Sequence, residues 1–165
     1  MPGRRKRFYW DSCLFLTWLK NEPRGPGETE GIEEVACLVH AGKADLFTSV
    51  IAESEVLESK MTPDQKERFQ NLFKRRNVVR VDIDVRIASL AGQIRSYYSQ
   101  RGMKVSTPDS LHLATAIHYG ADELHTTDTD LLRFNGDAAG HKLTICIPRS
   151  GQLGLFGGLQ PPKIK

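Results

Sequence analysis

Four acidic residues, Asp11, Glu55, Asp109 and Asp128, lie far apart in the chain, yet each ends or follows a short apolar stretch. Their settings are Phe8-Tyr9-Trp10-Asp11, Ser49-Val50-Ile51-Ala52-Glu53-Ser54-Glu55-Val56, Thr107-Pro108-Asp109-Ser110-Leu111 and Thr126-Thr127-Asp128-Thr129-Asp130. Apolar elements pack inward, so carboxylates at their ends can be carried to one place by the fold. Crowded carboxylates repel one another unless protons or a cation share the site. A hard divalent cation with oxygen ligands, Mg²⁺ or Mn²⁺, meets that need, and ions held this way hydrolyse phosphodiesters.

Each acid also has an ordinary reading. Asp109 after Thr-Pro suits any helix start, Asp128 and Asp130 suit a turn with an N-cap, and Asp11 suits a cap after a strand. Glu53 and Glu55 read equally as solvated helix charges. Four such coincidences, each in a matching context, weigh toward a shared site.

The elements that must position these acids follow from periodicity and breakers. Phe8 to Trp10 reads as a buried strand, and Leu14, Phe15, Trp18 and Leu19 mark a helix over Ser12 to Lys20. Asn21 to Gly27, with two prolines and two glycines, is the clearest break. A helix from Glu28 to Gly42 follows, its core face expected at Ile32, Val35, Cys37, Leu38 and Val39. Ala44 to Thr48 is a strand and Val50 to Ser59 a helix carrying Glu55. Thr62-Pro63 starts a helix with Phe69, Leu72 and Phe73 inward. Asn77 to Val81 is a third strand. Asp84 to Gln100 is a helix through Val85, Ile87, Ala88, Leu90, Ala91 and Ile94. Thr107 is expected to cap a central buried helix that reaches Tyr119-Gly120. Strands at Glu123 to Thr126 and Leu143 to Ile147 complete an α/β pattern with a mainly parallel sheet of about five short strands. In such sheets sites form at the carboxyl ends of the strands.

Length and composition set further bounds. At 165 residues the chain suits a basic amino-terminal tail over 1–6, one folded domain over 7–148, and a Gly/Pro-rich tail over 149–165. In that tail Leu153, Leu155, Phe156 and Leu159 could dock on a partner. The formal charge is +3, but Arg4, Arg5, Lys6, Arg7, Lys163 and Lys165 account for six positive charges at the ends. Without them 17 basic residues face 20 acidic ones, so charge alone does not select nucleic acid as a partner. No apolar run is long enough to span a membrane. The basic start lacks the apolar stretch of a secretory signal. Cys13, Cys37 and Cys146 show neither disulfide nor zinc spacing, and a reducing cytoplasm is the expected location.

The segment Thr107 to Ala116, continuing through Gly120-Ala121-Asp122 to Thr126-Thr127-Asp128-Thr129-Asp130, resembles the PIN domain. Within that superfamily it resembles the VapC-type ribonucleases of bacterial and archaeal toxin–antitoxin pairs. The shared pattern is an Asp opening an Ala-rich helix, a Gly-Ala turn, a strand, and Thr-x-Asp-x-Asp. The strand running into Asp11 resembles the first motif, and Ser49 to Val56 the second, with Glu55 rather than Glu53 in register. The resemblance spans roughly residues 7 to 147. Two features depart from the pattern: Ala52 replaces a frequent Thr, and Leu131-Leu132 replace an aromatic, with Phe134 only later; Ser12, where Asn or Ser is usual, fits it.

The resemblance implies a three-layer α/β/α sandwich. It also implies a Mg²⁺- or Mn²⁺-dependent endoribonuclease, a homodimer, and inhibition by a cognate antitoxin. Asp11, Glu55, Asp109 and Asp128 would hold one or two cations, partly through water. Thr126 would hydrogen-bond a carboxylate or the scissile phosphate, and Asp130 would serve as an outer or second-metal carboxylate. The Asn21 to Gly31 loop and the Leu14 to Leu19 helix are candidate antitoxin contacts. Two other readings stay open: a PIN-fold module that binds RNA or protein without cutting, and a PIN nuclease in RNA processing without an antitoxin. A separate rival is Asp82-Ile83-Asp84-Val85, which resembles the nucleophile motif of haloacid-dehalogenase-type phosphatases. No Lys motif accompanies it, and Asp84 as a helix cap is the better account. His112, one turn after Asp109, is expected to hydrogen-bond internally. Trp10 and Trp18 are expected in the core.

Overall fold

Three neighbouring side chains in the first strand set the layering. In β1 (Lys6–Trp10), Phe8 and Trp10 face one side and Tyr9 the other, and all three are buried. A strand buried on both faces requires helices on both. The computed structural model, which describes residues 3–151, has that arrangement. The expected residues 152–165 of the carboxyl-terminal tail lie outside the described residues.

After β1 the chain forms α1 (Ser12–Lys20), α2 (Glu28–His40), β2 (Ala44–Ser49), α3 (Val50–Glu58), α4 (Pro63–Leu72) and β3 (Val78–Val81). It continues through α5 (Val85–Ser99), α6 (Thr107–His118), β4 (Glu123–His125), α7 (Thr129–Leu132) and β5 (Thr144–Cys146). The sheet order is β3-β2-β1-β4-β5, with every neighbouring pair parallel. The expected α/β/α sandwich is therefore the observed fold. From β1 the chain builds outward through β2 to β3, then crosses to the other side for β4 and β5. The direction reverses between β1 and β4, and a crevice at such a switch point is where open parallel sheets place their sites.

One core layer joins Phe8 and Trp10 to Leu14, Phe15 and Trp18 of α1, Val35 of α2 and Phe69 of α4. The opposite layer joins Tyr9 and Phe47 to Ile87 and Ile94 of α5, Leu113 of α6 and Leu131 of α7. Trp10 and Trp18 are core residues, as expected. The helix α3 contacts both α1 and α6, so it links the two layers.

Several details differ from the sequence expectation. Cys37 points to solvent because the inward stripe of α2 runs through Ile32, Val35, Ala36 and Val39 and passes it by. Val85 is 81% exposed in the first turn of α5, and Ala88 is exposed too. Ser106, not Thr107, caps α6: its hydroxyl accepts the Asp109 N–H and Thr107 is already helical. Asp84 caps α5, accepting the N–H groups of Arg86 and Ile87. At the amino end, Lys6 already belongs to β1. Arg4 pairs with Asp122, Arg5 with Asp45 and Lys6 with Glu123, which ties down much of that segment's charge.

Candidate functional site

The carboxyl ends of β1 and β4 lie side by side, with Trp10 paired to His125. The next residue of each strand carries a polar group: Asp11 after β1 and Thr126 after β4. Asp11 is 1% exposed and caps α1, its Oδ1 accepting the Leu14 N–H at 2.9 Å. The buried Thr126 hydroxyl donates to Asp11 Oδ2 and accepts the Asp128 N–H at 2.9 Å. Asp128 caps α7, and its Oδ1 accepts the Asp130 N–H at 2.8 Å. The ordinary capping roles of Asp11 and Asp128 are thus real, and they leave both acids beside the same strand ends.

Glu55 and Asp109 enter from helices. Asp109 is half-buried in the first turn of α6, where free amides and the helix dipole favour an anion. His112, one turn further and 2% exposed, places Nε2 3.0 Å from Glu55 Oε2. The Ser12 hydroxyl lies near Glu55 and lowers its proton affinity. Glu53 turns elsewhere and pairs with Arg80. The two neighbouring glutamates therefore have different partners, Glu55 facing His112 and Glu53 facing Arg80.

The acids share one electrostatic field. Burial pushes the Asp11 carboxyl up to about 6; His112, the Thr126 hydroxyl and the Leu14 N–H pull it down, and Asp128 pushes it further up. Burial also raises Asp109, opposed by the nearby Ser106 hydroxyl and His112 and reinforced by Asp128 and Asp130. Burial raises Glu55 as well, but the His112 hydrogen bond and the nearby Ser12 hydroxyl outweigh it, leaving the group below its ordinary value. Burial and the charges of Asp11, Asp128 and Glu55 push the Cys13 thiol up to about 12. Asp128 is thus coupled to both Asp11 and Asp109, Glu55 is linked to both through His112, and Asp130 is exposed.

The residues fit a divalent cation. Among the described residues, the ion pairs made by arginine and lysine go to other acids: Asp45, Asp84, Asp122, Glu28, Glu53 and Glu123. The site acids are left with hydroxyl, amide and imidazole donors. Oxygens bound directly to one Mg²⁺ at about 2.0–2.1 Å lie at most about 4.2 Å apart. No three of these carboxylates fall within 4.8 Å of one another among the described residues. The arrangement therefore suits a partly hydrated ion, some of whose contacts run through water.

A tighter group lies elsewhere. Glu123, His125 and Cys146 bring potential ligand atoms within 4.8 Å of one another. Sequence spacing gives no sign of it, because parallel register sets His125 opposite Cys146, with Glu123 two residues before His125 on the same face. Its chemistry argues against a metal. The Trp10 indole N–H donates to His125 Nδ1 at 3.1 Å, so Nε2 carries the ring proton and donates to Glu123 Oε2 at 2.9 Å. Lys6 Nζ lies 2.7 Å from Glu123 Oε1, and burial pushes the Cys146 thiol up to about 12. Every ligand atom is already engaged or protonated, and a cation at Nε2 would set an Nδ1–H against the Trp10 N–H. The trio is an internally satisfied network.

Several residues near the acids carried little sequence signal. Tyr9 and Ser49 join His112 in a buried hydrogen-bonded chain. Helical spacing put His112 on the face of Asp109, but not against Glu55. Tyr9 was read only as part of the buried strand Phe8 to Trp10, and nothing local marked its partner.

Residues 8–137 match the PIN domain family, and the chain belongs to it. No curated protein matches the sequence. The fold is similar to VapBC2 from Rickettsia felis bound to a promoter DNA fragment, at 15% identity and TM-score 0.62, covering 84% of this chain and 98% of that one. It is similar to DNA-bound VapBC from Salmonella typhimurium at 21% identity and TM-score 0.61, covering 85% and 98%. It is also similar to VapC20 from Mycobacterium tuberculosis, a toxin that cleaves the sarcin–ricin loop, at 12% identity and TM-score 0.53, covering 76% and 93%.

Proposed function

We propose that this PIN domain is a divalent-metal-dependent endoribonuclease of the VapC type, acting as the toxin of an antitoxin-controlled pair. The observation that carries the reading is the buried Asp11 carboxylate at the β1/β4 switch point, coupled to Asp128, which is coupled in turn to Asp109, with no arginine or lysine pairing these acids among the described residues. Asp11, Glu55, Asp109 and Asp128 would hold Mg²⁺ or Mn²⁺, with Asp130 at the rim. When bound, the cation supplies Lewis acidity toward the phosphate and makes water a stronger nucleophile near neutral pH.

The chain's own groups do the rest. The Leu14 N–H and the Thr126 hydroxyl fix both Asp11 oxygens, so that carboxylate is oriented before any ligand arrives. Thr126 also holds the backbone of Asp128 through its N–H. RNA is the favoured substrate because VapC20, which shares the fold, cleaves an RNA loop. An antitoxin is the favoured partner because the Rickettsia and Salmonella relatives are VapBC assemblies. A homodimer and a cytoplasmic location belong to the same proposal. Among the described residues no helix is long and apolar enough to cross a membrane.

The test is cleavage of total RNA with mapped fragment ends, with Mg²⁺ or Mn²⁺, by wild type, Asp11→Asn and Asp109→Asn. Cleavage by wild type alone, abolished by chelator, is expected. Equal cleavage by all three proteins, or cleavage indifferent to chelator, would overturn the proposal. RNA binding without turnover or divalent-ion binding would instead favour the non-catalytic module.

A further inference from the structure

We infer that His112, held by Tyr9, is a positioning residue that aims the Glu55 carboxylate into the acidic site. The inference rests on the reading of that site as a cation centre and extends it to residues that touch neither cation nor substrate.

The geometry is a continuous buried chain. The Ser49 Oγ accepts the Ala52 N–H at the start of α3 and lies 3.0 Å from the Tyr9 hydroxyl. That hydroxyl lies 2.7 Å from His112 Nδ1, and His112 Nε2 lies 3.0 Å from Glu55 Oε2. Tyr9 is fully buried and His112 nearly so. Direction follows from chemistry. A carboxylate only accepts, so His112 Nε2 must carry the proton it shares with Glu55. Nδ1 meets a hydroxyl, which can donate to a bare nitrogen or accept from a protonated one. The Nε2–H therefore points at Glu55 in either state of the ring.

Glu55 needs such a device more than its neighbours do. Asp11 and Asp128 have short side chains pinned by caps. Glu55 is longer, half-exposed, and sits in the middle of α3, where no cap restrains it. One hydrogen-bond donor holds its carboxylate: His112, one turn from Asp109 on α6. That donor belongs to an element that carries another site acid. Glu55 is thereby registered to the set through a hydrogen bond rather than through the rigidity of its own helix. Outer groups that orient metal-binding carboxylates act in this way.

The experiment measures Mn²⁺ binding to the full-length, metal-free protein by water-proton relaxation, beside RNA cleavage, with folding of each variant checked by thermal melting. Relative to wild type, Glu55→Gln and His112→Leu are expected to weaken Mn²⁺ binding by about tenfold or more. His112→Gln keeps an N–H near the Nε2 position and is expected to stay within a few-fold of wild type. Tyr9→Phe removes one hydroxyl away from the acids and is expected to fall between them. If folded His112→Leu and Tyr9→Phe bind Mn²⁺ like wild type while Glu55→Gln does not, His112 has only a packing role and the inference is overturned, with the cation site intact. If wild type and Asp11→Asn bind Mn²⁺ alike, the cation site itself falls. Should His112→Leu fail to fold, Tyr9→Phe against His112→Gln decides the matter.

Discussion

The Thr126 hydroxyl stands between two acids, donating to the Asp11 carboxylate while accepting the Asp128 N–H at 2.9 Å. One buried side chain thus ties the end of β1 to the turn after β4. Thr126→Val keeps the shape and removes both bonds. A hydrogen bond to a charged group contributes about 1.5–3 kcal/mol, and the loss is expected near that range at pH 7. Denaturant unfolding should show a smaller cost at pH 4, where the Asp11 carboxyl is protonated. RNA cleavage should drop with it. An unchanged unfolding midpoint at both pH values would show that Thr126 does not restrain Asp11.

Asp11 makes stability depend on pH with a definite sign. Its carboxyl is raised from 3.8 to about 6 in the folded state, so the folded protein holds this proton where the unfolded chain has released it. Stability from this group is fully present below about 4 and is lost as pH rises through about 6, by up to ~3 kcal/mol in the metal-free protein. Asp11→Asn keeps a good helix cap and removes the penalty. The metal-free variant should therefore be more stable than wild type at pH 7, and the difference should vanish toward pH 4. Glu55 and Glu123 are shifted the opposite way, so the comparison is made between the two proteins rather than within one profile. A difference that grows toward low pH would contradict the account.

Much of this architecture was legible from residue patterns, and the exceptions have physical reasons. Asp11, Leu14, Phe15, Trp18 and Leu19 announced α1 because a cap and an apolar stripe coincide. Short strands were found with their ends uncertain by a residue or two, because strand ends are set by pairing partners: Thr126 falls outside β4 although its N–H still donates to Cys146. The four acids were visible as an ordered set. The contact between His112 and Glu55 was not, since it joins residues 57 positions apart on different helices. The Glu123, His125 and Cys146 trio was hidden for a related reason, being created by strand register alone.

That trio gives a discriminating metal experiment. A cation at 100-fold its dissociation constant stabilises a folded protein by about 2.7 kcal/mol. If the ion sits among the acids at the switch point, added Mn²⁺ should raise the melting temperature of wild type and Cys146→Ser equally. It should do little for Asp109→Asn. The reverse pattern, with Cys146→Ser losing the response, would move the cation to the trio and show that the Trp10–His125 hydrogen bond yields to a metal.

Gly31 offers a test of packing against local propensity. Within α2, alanine is ordinarily preferred to glycine by about 1 kcal/mol. Here a Cβ would lie 2.4 Å from Pro148 O and 2.5 Å from Arg149 N, both backbone atoms. The segment that crosses Gly31 is anchored on both sides, with Arg149 paired to Glu28 at 3.1 Å and Ser150 bonded to Gly27 O and Glu34. It cannot retreat without breaking those bonds, so overpacking is expected to dominate. Gly31→Ala should destabilise by about 1–3 kcal/mol despite its better helix propensity. Arg149→Ala, which loosens the strap, should cost less and should reduce the penalty of Gly31→Ala in the double variant. Chemical denaturation of the four proteins gives the coupling directly, and a Gly31→Ala variant more stable than wild type would show that the segment does not lie against α2 in solution.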